Sequence, residues 1–263
     1  MKISVIGGGN MGGAIAYGAI SQGVVSAVDV TISHLSTKMR PLFGEIAEQV
    51  KLENCNDKVI ADADIIILAV KPWLVEEVMG EISPLLDRTK QSIISVVAGL
   101  SFAQLSSMLQ FEALGSLPLY RVIPNTAISI GQGVSIISSC GSTAELDGAV
   151  VELFEALGST FVVAESMMTP LTSLSSCGIA FALRYLDAST RGGVAVGIDP
   201  KMSLEVTLKT MLGAVAMLER NGGEPQAEID KVTTKGGITL KGLEAMERDG
   251  FSVAVESAIK ESR

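Results

Sequence analysis

The stretch GGGNMGG at residues 7–13 directly follows the apolar run Lys2–Ile6 and directly precedes the helix-forming run Ala14–Ser21. Within it lies Gly7-x-Gly9-x-x-Gly12, a spacing that is weak alone and strong at a strand–turn–helix junction this close to the N-terminus. One glycine allows the tight turn, one lets a pyrophosphate approach the backbone, and one lets the helix pack close to the strand. The helix N-terminus then attracts the anion. The loop therefore sets Gly7, Gly9, Asn10, Met11 and Gly12 against a dinucleotide, and it requires a parallel β-sheet flanked by helices.

The chain supplies such a sheet. The runs KISVIG (2–7), AVDVTIS (27–33), DIIILAV (64–70), QSIISVVAG (91–99) and YRVIPN (120–125) alternate with helix-like segments, as βαβ units do. Further strands are expected at Gly133–Ser138 and Thr160–Val163, on either side of an acidic helix near Ala144–Leu157, completing the sheet edge. From Glu165 onward the pattern is helical only, with long segments over Met167–Val194 and Lys201–Arg220. The fold class is thus an α/β Rossmann-type N-terminal domain with a mostly parallel sheet (1–164), then an all-α C-terminal dimerisation domain (165–263). Helices this apolar on so short a segment call for a second subunit.

Composition narrows the partners. A net charge of −9 without a Lys/Arg cluster disfavours a phosphate backbone as partner, and no nucleic acid is expected. Cys55, Cys140 and Cys177 are odd in number and widely spaced, which predicts neither disulfides nor a metal site and fits a reducing cytoplasm. The N-terminal apolar run is too short for a signal peptide, and no stretch is expected to reach the roughly 20 apolar residues that span a bilayer.

An NAD site usually carries Asp or Glu at the end of the second strand, to bond the ribose 2′-hydroxyl. Here that end reads Ser33-His34-Leu35-Ser36-Thr37-Lys38, and Asp29 stands at the strand's start, far from the ribose. The hydroxyls of Ser33 and Ser36, with Lys38, suit a 2′-phosphate, so NADP(H) is favoured and NAD(H) is the alternative. His34 is the only histidine and sits at the adenine end, where it serves as a cofactor neighbour and not as an acid–base catalyst. A reaction needing hydride but no strong protein base fits best, and reduction of an already protonated C=N bond is one.

Six stretches together resemble the pyrroline-5-carboxylate reductases, from Gly7 to about Phe251: GGGNMGGAI, LAVKP (68–72), SVVAG (95–99), RVIPNT (121–126), LTSLSSCGIAF (171–181) and VTTKGGITLKGLEAME (232–247). The resemblance implies reduction of 1-pyrroline-5-carboxylate, a cyclic imino acid, to L-proline by a homodimer or a ring of dimers. It puts Val70, Lys71 and Pro72 around the nicotinamide, Ala98 and Gly99 in the turn beside it, Asn125 in the loop on the other side, and Asn56 at the adenosine. It also makes Thr233, Thr234, Gly236 and Gly237 the cradle of the substrate carboxylate, and Thr239 the partner of the imine nitrogen. Thr239 and Lys71 are the catalytic candidates. The glycines independently offer backbone N–H groups to an anion, and the helix starting near Ile238 adds its dipole; a plain Thr-rich helix cap is the bland alternative.

The chain also departs from that family. Ser176-Cys177-Gly178-Ile179-Ala180-Phe181 replaces the usual Gly-Ser-Gly-Pro-Ala-Tyr, Lys235 replaces a proline, and Leu35 stands where many relatives are basic. These changes leave two rivals, an imine reductase for a different cyclic imine and a degenerate NADP-binding regulatory module. A β-hydroxyacid dehydrogenase would need a lysine within 171–189, and that stretch has none.

Overall fold

The β-branched runs become eight short strands of one sheet in the computed structural model, which describes residues 1–109 and 117–263. They are β1 (Ile3–Ile6), β2 (Val30–Ser33), β3 (Lys51–Glu53), β4 (Ile65–Leu68), β5 (Ser92–Ser95), β6 (Leu119–Pro124), β7 (Gly133–Cys140) and β8 (Gly158–Val162). Their order across the sheet is β3-β2-β1-β4-β5-β6-β7-β8. All neighbours run parallel except β6 and β7, which pair antiparallel.

The central strands β1, β4 and β5 are buried along their whole length, as a sheet covered on both faces requires. Alternate residues of β4 feed separate cores. Ile65 and Ile67 join Ile15, Phe154 and Leu157, whereas Ile66 and Leu68 join Met79, Ile82 and Leu105. The period of two thus glues helix Asn10–Ser21 to one face and helices Val75–Ile82 and Phe102–Met108 to the other.

Two features differ from the sequence expectation. β3 was not foreseen, because Lys-Leu-Glu carries two charges in three residues and lies at the exposed edge beyond β2. The long helical segment expected over Met167–Val194 is divided: Met168–Thr172 is α-helical, Ser173–Cys177 forms a π-helical turn, and Gly178–Ala195 resumes the α-helix. Hydroxyls explain the break. Thr172 and Ser175 donate to the carbonyls of Met168 and Leu171, at 2.7 and 2.8 Å, and such bonds back to the preceding turn compete with the helical ladder.

Chain contacts group Met1–Ser176 as one unit and Cys177–Arg263 as another. Met168 is fully buried with Ile123 and Ile136, which ties Glu165–Ser176 to the sheet. In the second unit, helix Pro200–Asn221 starts on an Asp199 cap that accepts from the Lys201 and Met202 amides, with Pro200 as its first residue, and it ends on left-handed Gly222. Shorter helices follow at Pro225–Lys231, Ile238–Arg248 and Phe251–Glu261. Ser203 is the one buried side chain in this unit, while Leu183, Val196, Leu212 and Val253 are each at least 60% exposed. Helices without a core of their own need an apolar cover from outside the chain.

One expectation about membranes is corrected. Glu165–Ala195 is long and apolar enough, by length and composition, to cross a bilayer, with a mean hydropathy of 1.2 over its best window. Ala, Gly, Ser and Thr fill the gaps between its large apolar residues without adding charge.

Candidate dinucleotide and carboxylate sites

Register builds the first site. Ile6 pairs with Ser33 on one side and with Leu68 on the other, and Leu68 pairs with Ser95, so the carboxyl ends of β2, β1, β4 and β5 stop in one row. The residues that follow each strand leave the sheet together along that row. They line a cleft of about 1170 Å³ whose walls include Gly7–Met11, Ser33, His34, Ser36, Lys38, Ala69–Pro72 and Val96–Ala98. This is the crevice beyond the carboxyl ends of the strands, where open α/β sheets bind ligands.

The glycines in the first turn divide the work. Gly7 has φ +99°, and a Cβ there would stand 2.8 Å from the Ala69 carbonyl oxygen. At Gly8 a Cβ would meet Leu35 Cα at 2.6 Å, and at Gly12 it would meet the Gly7 carbonyl oxygen at 2.2 Å. These three are required by packing. Gly9 is different, because its backbone is extended (φ −78°, ψ −163°) and nothing lies within 4 Å of an added Cβ. Space beside Gly9 is therefore kept clear on the cleft side, not filled by protein.

The loop after β2 is tied to this turn. Ser33 Oγ accepts from the Gly7 amide at 3.0 Å, the Ser33 carbonyl accepts from Gly8, and the Ser36 amide donates to the Gly8 carbonyl at 2.8 Å. His34 is exposed with φ +53°. Its amide donates to the Glu53 carbonyl at 3.2 Å, so the unforeseen β3 holds the loop from below and delivers Asn54–Asp57 to the cleft. Asn56 Nδ2 donates to Glu81 Oε2 at 2.7 Å, leaving its Oδ1 buried without a partner among the described residues; Ser36 Oγ is in the same condition. Two unsatisfied acceptors in the wall of one cleft are what a bound polar ligand would relieve.

Of the residues assigned to the cofactor from sequence, Gly7, Gly9, Asn10, Met11, Ser33, His34, Ser36, Asn56, Val70, Lys71, Pro72 and Ala98 line the cleft. Gly12, Gly99 and Asn125 do not. Gly12 lies behind the turn, and Gly99 forms a left-handed bend with φ +83° just past Ala98. Asn125 is 4% exposed; its Oδ1 accepts from the Ala127 and Val134 amides and its Nδ2 donates to the Ser175 carbonyl at 3.3 Å, so it braces the loop after β6 against the π-helical turn. Sequence reading missed Glu77, Val78, Glu81 and Leu85, which reach the cleft from the helix after β4 and the turn beyond it. Their only sequence signal is that the helix begins at the cleft's edge.

The second locus lies in the helical unit. Gly236 is left-handed (φ +77°) with open space around it, and Gly237 caps helix Ile238–Arg248 without any side-chain hydrogen bond. The Gly237 amide itself donates to the Thr234 carbonyl at 2.9 Å, whereas the amides of the first helical turn that follow it have no intrahelical acceptor and remain available to an anion. Thr234 and Thr239 are exposed beside them. Thr233 is committed elsewhere, because its hydroxyl donates to the Ile229 carbonyl at 2.7 Å and so cannot also donate to a carboxylate. Among the described residues no group of His, Cys, Asp and Glu could hold a metal ion.

Known proteins resemble the chain along its whole length. A family model described as pyrroline-5-carboxylate reductase dimerisation matches residues 165–263, and one described as NADP oxidoreductase, coenzyme F420-dependent, matches residues 2–99. The pyrroline-5-carboxylate reductase of Glycine max is 34% identical over 267 residues, covering 99% of this chain and 94% of the relative. Plasmodium falciparum pyrroline carboxylate reductase, solved with NADP bound, superposes with a TM-score of 0.90 at 25% identity, covering 100% of this chain and 95% of that one. The 1-pyrroline-5-carboxylate reductase of Streptococcus pyogenes superposes with a TM-score of 0.86 at 30% identity, covering 100% and 96%.

Proposed function

The chain belongs to the pyrroline-5-carboxylate reductase family, and from that premise we propose that it reduces the C=N bond of 1-pyrroline-5-carboxylate to give L-proline, with NADPH favoured over NADH. The observation that carries the reading is the 34% identity sustained over 99% of the chain, which takes in both candidate sites. It is an oxidoreductase acting on a CH–NH bond, and an oligomer.

The cleft suits a dinucleotide on its own geometry. Space clear of protein beside Gly9 admits a pyrophosphate, and the orphaned Ser36 Oγ and Asn56 Oδ1 gain partners from a ribose phosphate and an adenosine. Gly9, Asn10 and Met11 hold the pyrophosphate through backbone amides while Gly7 shapes the turn, Ser36 and Lys38 hold the 2′-phosphate, and Val70, Lys71, Pro72 and Ala98 border the nicotinamide. Gly99 and Asn125 support that border from behind. Lys71, exposed at the cleft, keeps positive charge beside the ring. The bound dinucleotide supplies the hydride that the imine carbon takes up.

Gly236, the first-turn amides that follow Gly237, and Thr234 hold the substrate carboxylate, and the Thr239 hydroxyl donates to the lone pair that develops on the ring nitrogen as hydride reaches the imine carbon. No strong base is required, because the imine enters already protonated and its nitrogen becomes the amine of proline. Orientation by fixed donors is the protein's main contribution. The assembly is a homodimer closed over residues 177–263, and such dimers can associate further into rings. The free thiols of Cys55, Cys140 and Cys177 fit a reducing compartment, and we place the enzyme in the cytoplasm.

The test is oxidation of NADPH, and in parallel NADH, by purified protein with 1-pyrroline-5-carboxylate, with proline measured as product. No proline with either cofactor sinks the proposal. Tight NADPH binding without turnover of any cyclic imine favours a regulatory module, and turnover only of a larger imine points to the departures at 176–181 and Lys235. Within the same assay, Lys38→Glu should raise KM for NADPH about tenfold, the scale of one lost charge contact turned repulsive, and leave KM for NADH within about twofold. An equal rise for both cofactors shows that Lys38 does not read the 2′-phosphate.

A further inference from the structure

One carboxylate outside both sites touches two elements at once. Glu165 Oε1 accepts from the Phe102 amide at 2.6 Å and from Arg121 Nη1 at 2.9 Å, while the Arg121 guanidinium lies 6.0 Å from the centre of the Phe102 ring. Phe102 is the first residue of helix Phe102–Met108, so its amide is one of the donors that a helix leaves unsatisfied, and a carboxylate there also meets the positive end of the dipole. Ser101 and Gln104 satisfy further groups of that turn through a reciprocal capping box.

The residues just before this helix are the ones that border the cleft. Val96–Ala98 line it, Gly99 bends the chain with φ +83°, and only Leu100 and Ser101 separate that bend from Phe102. At its upstream end the segment is pinned to the sheet by the Val96 amide on the Leu68 carbonyl at 3.0 Å. At its downstream end the polar anchor is Glu165. The four residues 98–101 are thus strung between two fixed points, and one of them is a side chain from the start of the region matched as dimerisation.

Stability alone does not account for the arrangement. Arg121 is 7% exposed and its Nε is buried without a partner among the described residues, so the pair carries a desolvation penalty that an apolar pair would avoid. What the pair does supply is direction: Arg121, rooted in β6, fixes where the Glu165 carboxylate stands, and the carboxylate fixes where the Phe102 amide stands. We propose that Glu165 is a positioning residue for the nicotinamide end of the cleft, holding the 98–101 turn through Phe102 and held in turn by Arg121. The inference rests on the dinucleotide reading of the cleft given above.

The test compares NADPH with 2′-phospho-ADP-ribose, which keeps the adenosine and phosphates but lacks the nicotinamide. In Glu165→Ala, Kd for NADPH should rise about tenfold, in line with a small misplacement at a remote support, while Kd for the fragment stays within about twofold of wild type. Glu165→Gln keeps an acceptor opposite the Phe102 amide and should bind NADPH within about threefold of wild type. If Glu165→Ala does not fold, Arg121→Met with Glu165→Leu removes the stranded cation and should give the same separation of the two ligands. Equal weakening of both ligands, or no change in either, overturns the proposal. Wild type that binds neither ligand overturns the dinucleotide reading and this proposal with it.

Discussion

Gly9→Val should melt within about 2 °C of wild type and yet bind NADPH at least about 100-fold more weakly. The backbone at Gly9 is extended, a conformation any residue adopts, and an added Cβ meets nothing within 4 Å. Valine therefore costs the fold little. Its methyl groups project into the space a pyrophosphate occupies when the backbone amides grip it, which is the purpose of the second glycine in such turns. Gly12→Val makes the contrast. There the Cβ would fall 2.2 Å from the Gly7 carbonyl oxygen and 2.9 Å from Val5, so the helix must move off the strand and the melting temperature should fall by several degrees or more. Thermal melts and fluorescence titration of NADPH read both variants. Normal NADPH affinity in a folded Gly9→Val would falsify the placement of the pyrophosphate at this turn.

The contrast also marks what a sequence can and cannot show. Motif spacing marked Gly7, Gly9 and Gly12 as a set, but only coordinates separate the glycine that faces ligand from those that face protein. The central strands were legible because burial on both faces makes them near-continuous apolar runs, as in DIIILAV. β3 was not, because an edge strand of three residues with two charges has no such pattern. That omission matters for the site. Asn54–Asp57 reach the cleft only because β3 pairs with β2, so Asn56 could be assigned by resemblance and not by physics.

Asn125 shows the opposite limit. Resemblance set it beside the cofactor, yet its side chain is consumed by the Ala127 and Val134 amides and the Ser175 carbonyl. Its partner is the π-helical turn, which no helical periodicity signals, since hydroxyls bonding back to the preceding turn leave the apolar pattern almost intact. Glu165 was read as a boundary marker because a lone acidic residue at a junction has no motif. Its role depends on Arg121 and Phe102, 44 and 63 residues away in sequence. The helical domain was legible as a class, but the fact that residues 177–263 bury only Ser203 was not, and that is the physical reason these helices need an apolar cover.

Thr239→Val should lower kcat with 1-pyrroline-5-carboxylate by about 50-fold, the scale of losing one well-placed donor to the reacting group. Valine keeps the shape and branching of threonine and removes only the hydroxyl. Thr239 sits in the first turn of helix Ile238–Arg248, exposed, and the cap residue Gly237 takes no side-chain hydrogen bond, so the hydroxyl has no capping duty to lose. A drop in melting temperature beyond about 2 °C is therefore not expected. KM for NADPH should stay within about twofold, because the change lies outside the cofactor cleft. Thr239→Ser, which restores a hydroxyl, should recover kcat to within about fivefold of wild type. The carboxylate cradle gives a second reading of the same locus. Thr234→Val should raise KM for the imino acid and leave kcat near wild type, because a carboxylate is bound alike in the ground and transition states. If Thr239→Val instead raises KM with kcat unchanged, the hydroxyl binds substrate and does not serve the nitrogen; if neither parameter moves, Thr239 has no part in the reaction and the donor to the imine must be sought elsewhere.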